Sequence, residues 1–332
     1  MRHRRTTLGA GSAAQQLRRL LSALACAALL LASACAGVRS SERTPAAGGK
    51  PPTASELRLV ISRDYGARVF EDILVPARAG MTVMRLLAEH AQVDTKYGGG
   101  FIQGIDGLAS SFGGSSADAA DWFYWVDGAM GTVGAADAAL HGGQTVWWDY
   151  HRWAGAMFIP GALDAFPAPF KNEPLTLAVG PASSQAGPFQ QAIVQWAQQR
   201  GLQLRGLHSS SPAADSGPWL IAGTPDWLAR LGVVRASLAR GTGVGVFVAI
   251  DGGQLYALGA DGKRGPALLA AALAVPDTDH PGRLSLVLIA RDVQALQRLL
   301  DGFTPAAANA HVALGLTDAG IIPLPLAAAT GS

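Results

Sequence analysis

The chain has 332 residues, 49% of them hydrophobic and 15% charged, with 41 Gly, 19 Pro, 2 Cys and a formal charge of +2. That length suits two domains of ordinary size. The high apolar content and low net charge exclude disorder throughout, and a single long apolar run, near the start, excludes a protein that crosses a membrane several times.

The start reads as an export leader. Arg2, Arg4, Arg5, Arg18 and Arg19 precede an uncharged run from Leu20 to Ala34. Those 15 residues are too short for a spanning helix of about 20 but suit the apolar region of a signal peptide. The run closes on Ala32-Ser33-Ala34-Cys35, small residues directly before a cysteine. This resembles a bacterial lipoprotein box, with Ala32 where Leu is commoner. Residues 1–34 are therefore expected to be a signal peptide and Cys35 the lipidated new N-terminus, which places the protein on a bacterial membrane or envelope. Ordinary cleavage after Ala34 and secretion is the alternative.

Removing residues 1–34 takes away five arginines and no acid, so the formal charge moves from +2 to −3. No basic surface is left to argue for nucleic acid. Cys26 goes with the leader, so the body has no thiol for a disulfide, a metal site or a nucleophile. Residues 35–55 show no apolar period and read as a flexible tether.

Leu57, Leu59 and Ile61 alternate with Arg58, Val60 and Ser62, which is strand period. Asp64-Tyr65-Gly66 supplies a turn, and Val69–Val75 completes a hairpin. Thr82 suits an N-cap, since Val83, Leu86, Leu87, His90 and Ala91 fall on one helical face. A glycine-rich loop, Tyr97 to Phe101, leads to a short strand near Ile102–Ile105, and Asp106-Gly107 opens a polar loop to Ala120. Trp122–Val126 and Thr145–Trp153 read as strands. Residues 56–170 thus suggest one mixed sheet covered by one helix, an α+β domain.

After the joint Phe166-Pro167-Ala168-Pro169-Phe170, strands and helices alternate through residues 171–326, an α/β domain with a buried sheet. Strands are expected at Leu175–Val179, Trp219–Ala222, Val244–Ile250, Gln254–Leu258, Leu284–Ala290 and His311–Leu316. Helices are expected at Phe189–Arg200, after Thr224-Pro225, and at Asp292–Leu300. Leu220–Leu231 and Leu288–Leu299 coincide at six of twelve positions, as two equivalent strand–helix units or by chance in a Leu- and Ala-rich chain.

Four blocks carry a family resemblance: Thr82–Leu87, Val93–Ile102 with its Tyr97-Gly98-Gly99-Gly100-Phe101 core, Asp121–Gly128 and Gly142–Tyr150. In this order they resemble the C-terminal domain of transcobalamin and intrinsic factor and the related bacterial DUF4430 family. The resemblance implies a β-grasp-like domain, one that in the eukaryotic relatives covers a face of cobalamin. Those relatives also carry a helical barrel that forms the other half of the clamp, whereas the partner here is α/β and follows. Cobalamin is one candidate ligand.

Five of the eight tryptophans, Trp122, Trp125, Trp147, Trp148 and Trp153, lie within 32 residues. Alternation puts Thr145, Trp147, Asp149, His151 and Trp153 on one face and Val146, Trp148, Tyr150 and Arg152 on the other. One face packs on the helix. The other is solvated, covered by the second domain, or used to stack a flat ligand. Tyr97, Gly99, Phe101, Trp125, Trp147, Asp149, Tyr150, His151 and Trp153 are the candidate ligand contacts. Rings filling the core and the interdomain seam are the rival reading.

Catalytic signatures are poor, although an active site can assemble from distant positions without a motif. His141-Gly142-Gly143 has no following G-x-S-x-G. Gly241-Thr242-Gly243-Val244-Gly245 precedes a strand instead of following one, and Gly262-Lys263-Arg264 lacks the rest of a P-loop. No spacing suggests a metal site. The expected function is a membrane-tethered, exported protein that binds cobalamin or another large planar or amphiphilic molecule for an uptake transporter. A cell-surface interaction or scaffold module is the alternative, and an envelope enzyme a third.

Overall fold

The computed structural model describes residues 48–96, 101–111, 119–180, 186–208, 217–276 and 282–327. They group into one compact unit of mixed α and β structure. The expected leader and Cys35 lie outside them.

β1 (Glu56–Arg63) and β2 (Arg68–Pro76) form the expected antiparallel hairpin. Its turn holds Asp64, Tyr65 and Gly66 at φ 57°, 60° and 81°. Gly66 is required there, since a Cβ would sit 1.7 Å from the Ala310 carbonyl oxygen. Helix α1 (Val83–His90) starts where the sequence places it, with the Thr82 hydroxyl accepting from the Arg85 N–H. β3 (Val93–Lys96), β4 (Phe101–Ile105) and β5 (Leu108–Ala109) make a small separate sheet. The polar loop expected from Asp106 begins instead with a hairpin turn, Asp106 at φ 49° and Gly107 at 80°, which folds β5 back on β4. β6 (Ala120–Val126), β7 (Ala129–Met130) and β8 (Thr145–Arg152) join the first hairpin in a sheet of order β2-β1-β8-β6-β7. Only the central pair β1·β8 is parallel; the other pairs run antiparallel.

The second half contributes β9 (Leu175–Gly180), α2 (Ala186–Gln199), β10 (Leu204–His208), β11 (Trp219–Gly223), α3 (Pro225–Leu228) and α4 (Gly232–Arg240). β12 (Val248–Asp251), β13 (Gln254–Leu258) and β14 (Arg264–Leu268) form a three-stranded sheet. The strand expected from Val244 starts later, because Gly241–Val244 is a 3-10 turn. β15 (Ala270–Pro276), β16 (Leu284–Ala290), α5 (Val293–Gly302), α6 (Pro305–Ala308), β17 (Ala313–Thr317) and β18 (Gly320–Leu324) complete the chain. The large sheet has the order β10-β9-β11-β16-β15-β17-β18, parallel in its first four strands. β9 and β11 are buried along their whole length, as a sheet covered on both faces requires.

The two strand–helix units noticed as a sequence echo are neighbours: β11 and β16 pair in parallel. The ladder joins Leu220 to Leu286, so the spatial equivalence is two residues away from the sequence match to Leu288. The helix starts differ too. Asp292 caps α5 with its side chain, whereas Thr224 makes no such bond at α3.

Three apolar clusters hold the layers together. Leu57, Leu59, Ile61, Val146 and Trp148 pack on Leu86 and Leu87 of α1. Leu177, Leu220, Leu286 and Leu288 pack on Phe189 of α2 and Leu296 and Leu299 of α5. The third is shared between the halves: Val60, Trp125 and Trp147 meet Ile221, Leu273, Val287, Ile289 and Val312. The face of the first sheet turned away from α1 is therefore covered by the second half.

Residues 48–55, expected to be free tether, lie on the body. A Cβ on Gly48 would be 2.6 Å from Asn309 Nδ2, and one on Gly49, at φ 93°, would be 2.4 Å from the Ala306 Cα. The Ser55 carbonyl accepts from the Ala77 N–H at 2.9 Å.

Candidate functional site

The covered face is where the expected ligand contacts gather. β8 alternates Thr145, Trp147, Asp149 and His151 toward the seam, and β6 places Asp121, Phe123 and Trp125 opposite His151, Asp149 and Trp147. Trp125, Trp147 and Asp149 are 0% exposed and His151 1%. The expectation that they line an open sheet face is thus corrected: the α/β half lies on them, because a half-apolar sheet face of this width is stable only when another layer removes it from water. The two indoles stack at 4.6 Å. Trp125 Nε1 donates to the Ile159 carbonyl at 2.8 Å, and Trp147 Nε1 to the Ser62 hydroxyl at 2.7 Å.

A polar network threads this apolar layer. Ser62 Oγ donates to Asp149 Oδ1 at 2.5 Å, the Tyr65 N–H to Oδ2 at 2.9 Å and the Gly66 N–H to Oδ1 at 3.1 Å. His151 Nδ1 lies 2.9 Å from Asp149 Oδ2. Facing the carboxylate, Nδ1 is assigned as the donor. Nε2 is buried and without a hydrogen-bond partner. The imidazole is held between Tyr65 at 4.3 Å and Phe123 at 4.6 Å, both stacked. Burial raises the Tyr65 phenol above its usual range, with the nearby Asp149 charge adding to it.

Ser, His and Asp meet here, but not in the arrangement of a hydrolase. The hydroxyl donates to the carboxylate and not to the imidazole, so the serine–histidine hydrogen bond of such a triad is not made. Among the described residues no three His, Cys, Asp or Glu side chains converge as a metal site.

Two further groups link the halves. Arg58 forks onto Asp72 at 2.8 and 2.7 Å, both buried, and Asn309 bonds both partners, accepting from Arg58 at 2.8 Å and donating to Asp72 at 3.0 Å. Asp164 is 2% exposed and no other side chain bonds its carboxyl, which has only the Asp164 and Ala165 N–H groups near it. Burial, then the charge of Asp127, pushes its carboxyl up to about 8. His311, which faces the Tyr65 carbonyl, is lowered by burial.

The other expected contacts lie elsewhere. Tyr150 is on the opposite face, part-exposed, its hydroxyl donating to the Ala109 carbonyl. Trp153 follows the end of β8, partly exposed, its N–H bonded to Ala119. Phe101 begins β4, in the small separate sheet. Tyr97 and Gly99 are outside the described residues. Sequence reasoning passed over Ser62, Asp121, Asp164 and His311. Alternation along β1 turns Ser62 to the same face as Val60, but nothing local announces Asp164 or His311. An open cleft of about 300 Å³ lies at the starts of β9, β11 and β16, between Pro169, Glu173, Pro218 and Arg283, and contains none of the expected contacts.

Residues 80–152 match the family described as domain of unknown function (DUF4430). The DUF4430 segment runs from α1 to the end of β8 and so contains Trp125, Trp147, Asp149 and His151. It leaves out the β1–β2 hairpin, although β1 is the parallel partner of β8. No curated protein matches the chain.

Proposed function

We propose that the protein is an exported, lipid-anchored module of the bacterial envelope that acts through its outer surface, as a cell-surface interaction or scaffold element. The observation that carries this reading is the burial of the Trp125–Trp147 face: the rings best suited to stack a flat ligand are spent on joining the two halves. We read residues 56–170 as β-grasp-like, on the strength of a hairpin, a helix on one face and a central parallel pair, and residues 171–326 as its α/β partner. The arginine-flanked apolar run before Cys35 supports the leader and the anchor.

A second reading keeps a ligand, a corrinoid delivered to an uptake transporter, at the same seam. The buried His151 Nε2, which has no hydrogen-bond partner, favours it, since a guest entering between parted halves would give it one. Titrating the chain from residue 36 with cyanocobalamin, while following tryptophan fluorescence and thermal unfolding, separates the two. The first reading expects no saturable change. A saturable quench with a rise in melting temperature would replace it with the second.

A further inference from the structure

Among the described residues, Met157, Phe158 and Val133 are the large hydrophobic side chains that stand exposed, at 59%, 49% and 56%. The stretch that follows Phe158 is tied to β7. Ala129 bridges Gly161, and the Met130 N–H donates to the Pro160 carbonyl at 3.2 Å.

The loop that carries Met157 and Phe158 is fastened on both sides. Ala156 is 1% exposed and its N–H closes a turn onto the Trp153 carbonyl at 3.1 Å. Gly155 lies against the Ala260 carbonyl. Ile159 is 0% exposed, and its carbonyl is held by the Trp125 indole. Two apolar side chains are thus held outward between two buried anchors, with little ordering entropy left to lose on binding.

We propose that Met157 and Phe158 form a knob that inserts into the interfacial layer of a lipid bilayer. The size of the patch argues for lipid over protein. Two half-exposed side chains offer roughly 200 Å², whereas a stable protein interface takes about 800 Å² per partner. Insertion into a bilayer has no such threshold, since each buried apolar group adds to it. The inference rests on the lipid-anchor part of the proposed function. Twelve residues separate Cys35 from Gly48, a span of at most about 45 Å. Anchored that closely, the knob meets a high effective concentration of lipid, which adds to its own affinity.

The test uses the chain from residue 36, which lacks Cys35, mixed with vesicles of phosphatidylethanolamine and phosphatidylglycerol and sedimented. The wild-type chain is expected to bind in proportion to lipid. The double variant Met157→Asp/Phe158→Asp is expected to bind at least tenfold less while melting at the same temperature. A wild-type chain that stays in the supernatant, or a folded variant that binds equally well, overturns the proposal. So does a variant that loses a protein partner while neither chain binds vesicles. Anchoring is read separately, as release of the full-length Cys35→Ser protein from cell membranes, so failure of the anchor and failure of the knob give different results.

Discussion

Trp147 stacks on Trp125 at 4.6 Å and 28°, and the Trp147 indole N–H ends on the hydroxyl of Ser62, which in turn holds Asp149. One pair of rings therefore joins the apolar seam to the polar network inside it. Trp147→Ala removes the stack, the hydrogen bond and a large buried volume. It should destabilise the protein by about 3–5 kcal/mol in urea unfolding. An unchanged midpoint would mean that the ring lies in an open, ligand-ready face.

Asp164 gives a pH dependence whose sign is fixed. Its carboxyl moves from an ordinary 3.8 to about 8 in the folded protein. Between those values the native state holds a proton that the unfolded chain has released, so stability falls as pH rises through that window, by at most about 1.4 kcal/mol per pH unit. Asp164→Asn keeps the shape and cannot ionise. The variant should melt above wild type at pH 7, with a gap that opens from about pH 4 and levels off above about pH 8. Parallel melting curves across pH 4–9 would show that the carboxyl is neither buried nor strained.

The Arg58–Asp72 pair is tested by a cycle. Asp72→Ala leaves a guanidinium buried with only Asn309, and about 3–5 kcal/mol of stability should be lost. Arg58→Met with Asp72→Leu removes both charges and should cost less than the Asp72 change alone. Chemical denaturation of the single and double variants gives the comparison.

Gly49 reports whether residues 48–55 belong to the fold. At φ 93° and with Ala306 in the way, Gly49→Ala should cost about 1 kcal/mol or more, read as a lower melting temperature. A free tether would show no change.

Local signals were legible and distant ones were not. Thr82, the β1–β2 hairpin and its Asp64-Tyr65-Gly66 turn announce themselves within a few residues of sequence. Alternation also sorted Trp147, Asp149 and His151 correctly onto one face of β8. What covers that face depends on partners far along the chain, such as Ile221 and Val312, and no spacing rule reaches that distance. β15 shows a different loss. Its Ala-Ala-Ala-Leu-Ala-Val-Pro run has neither alternation nor β-branched enrichment, yet it is a buried strand near the centre of the large sheet. Alanine's helix preference is overridden there because small side chains fit between the layers on either side.

The parallel pairing of β1 with β8 has a consequence for biogenesis. Arg58 meets Thr145 and Arg63 meets Tyr150, so the first sheet cannot close before about residue 152 has been synthesised. Its aromatic face then waits for β11, β16 and β17 before water leaves it. A nascent chain halted between those points displays Trp125 and Trp147 as bare adhesive surface, which makes that interval the one in which it most needs a chaperone.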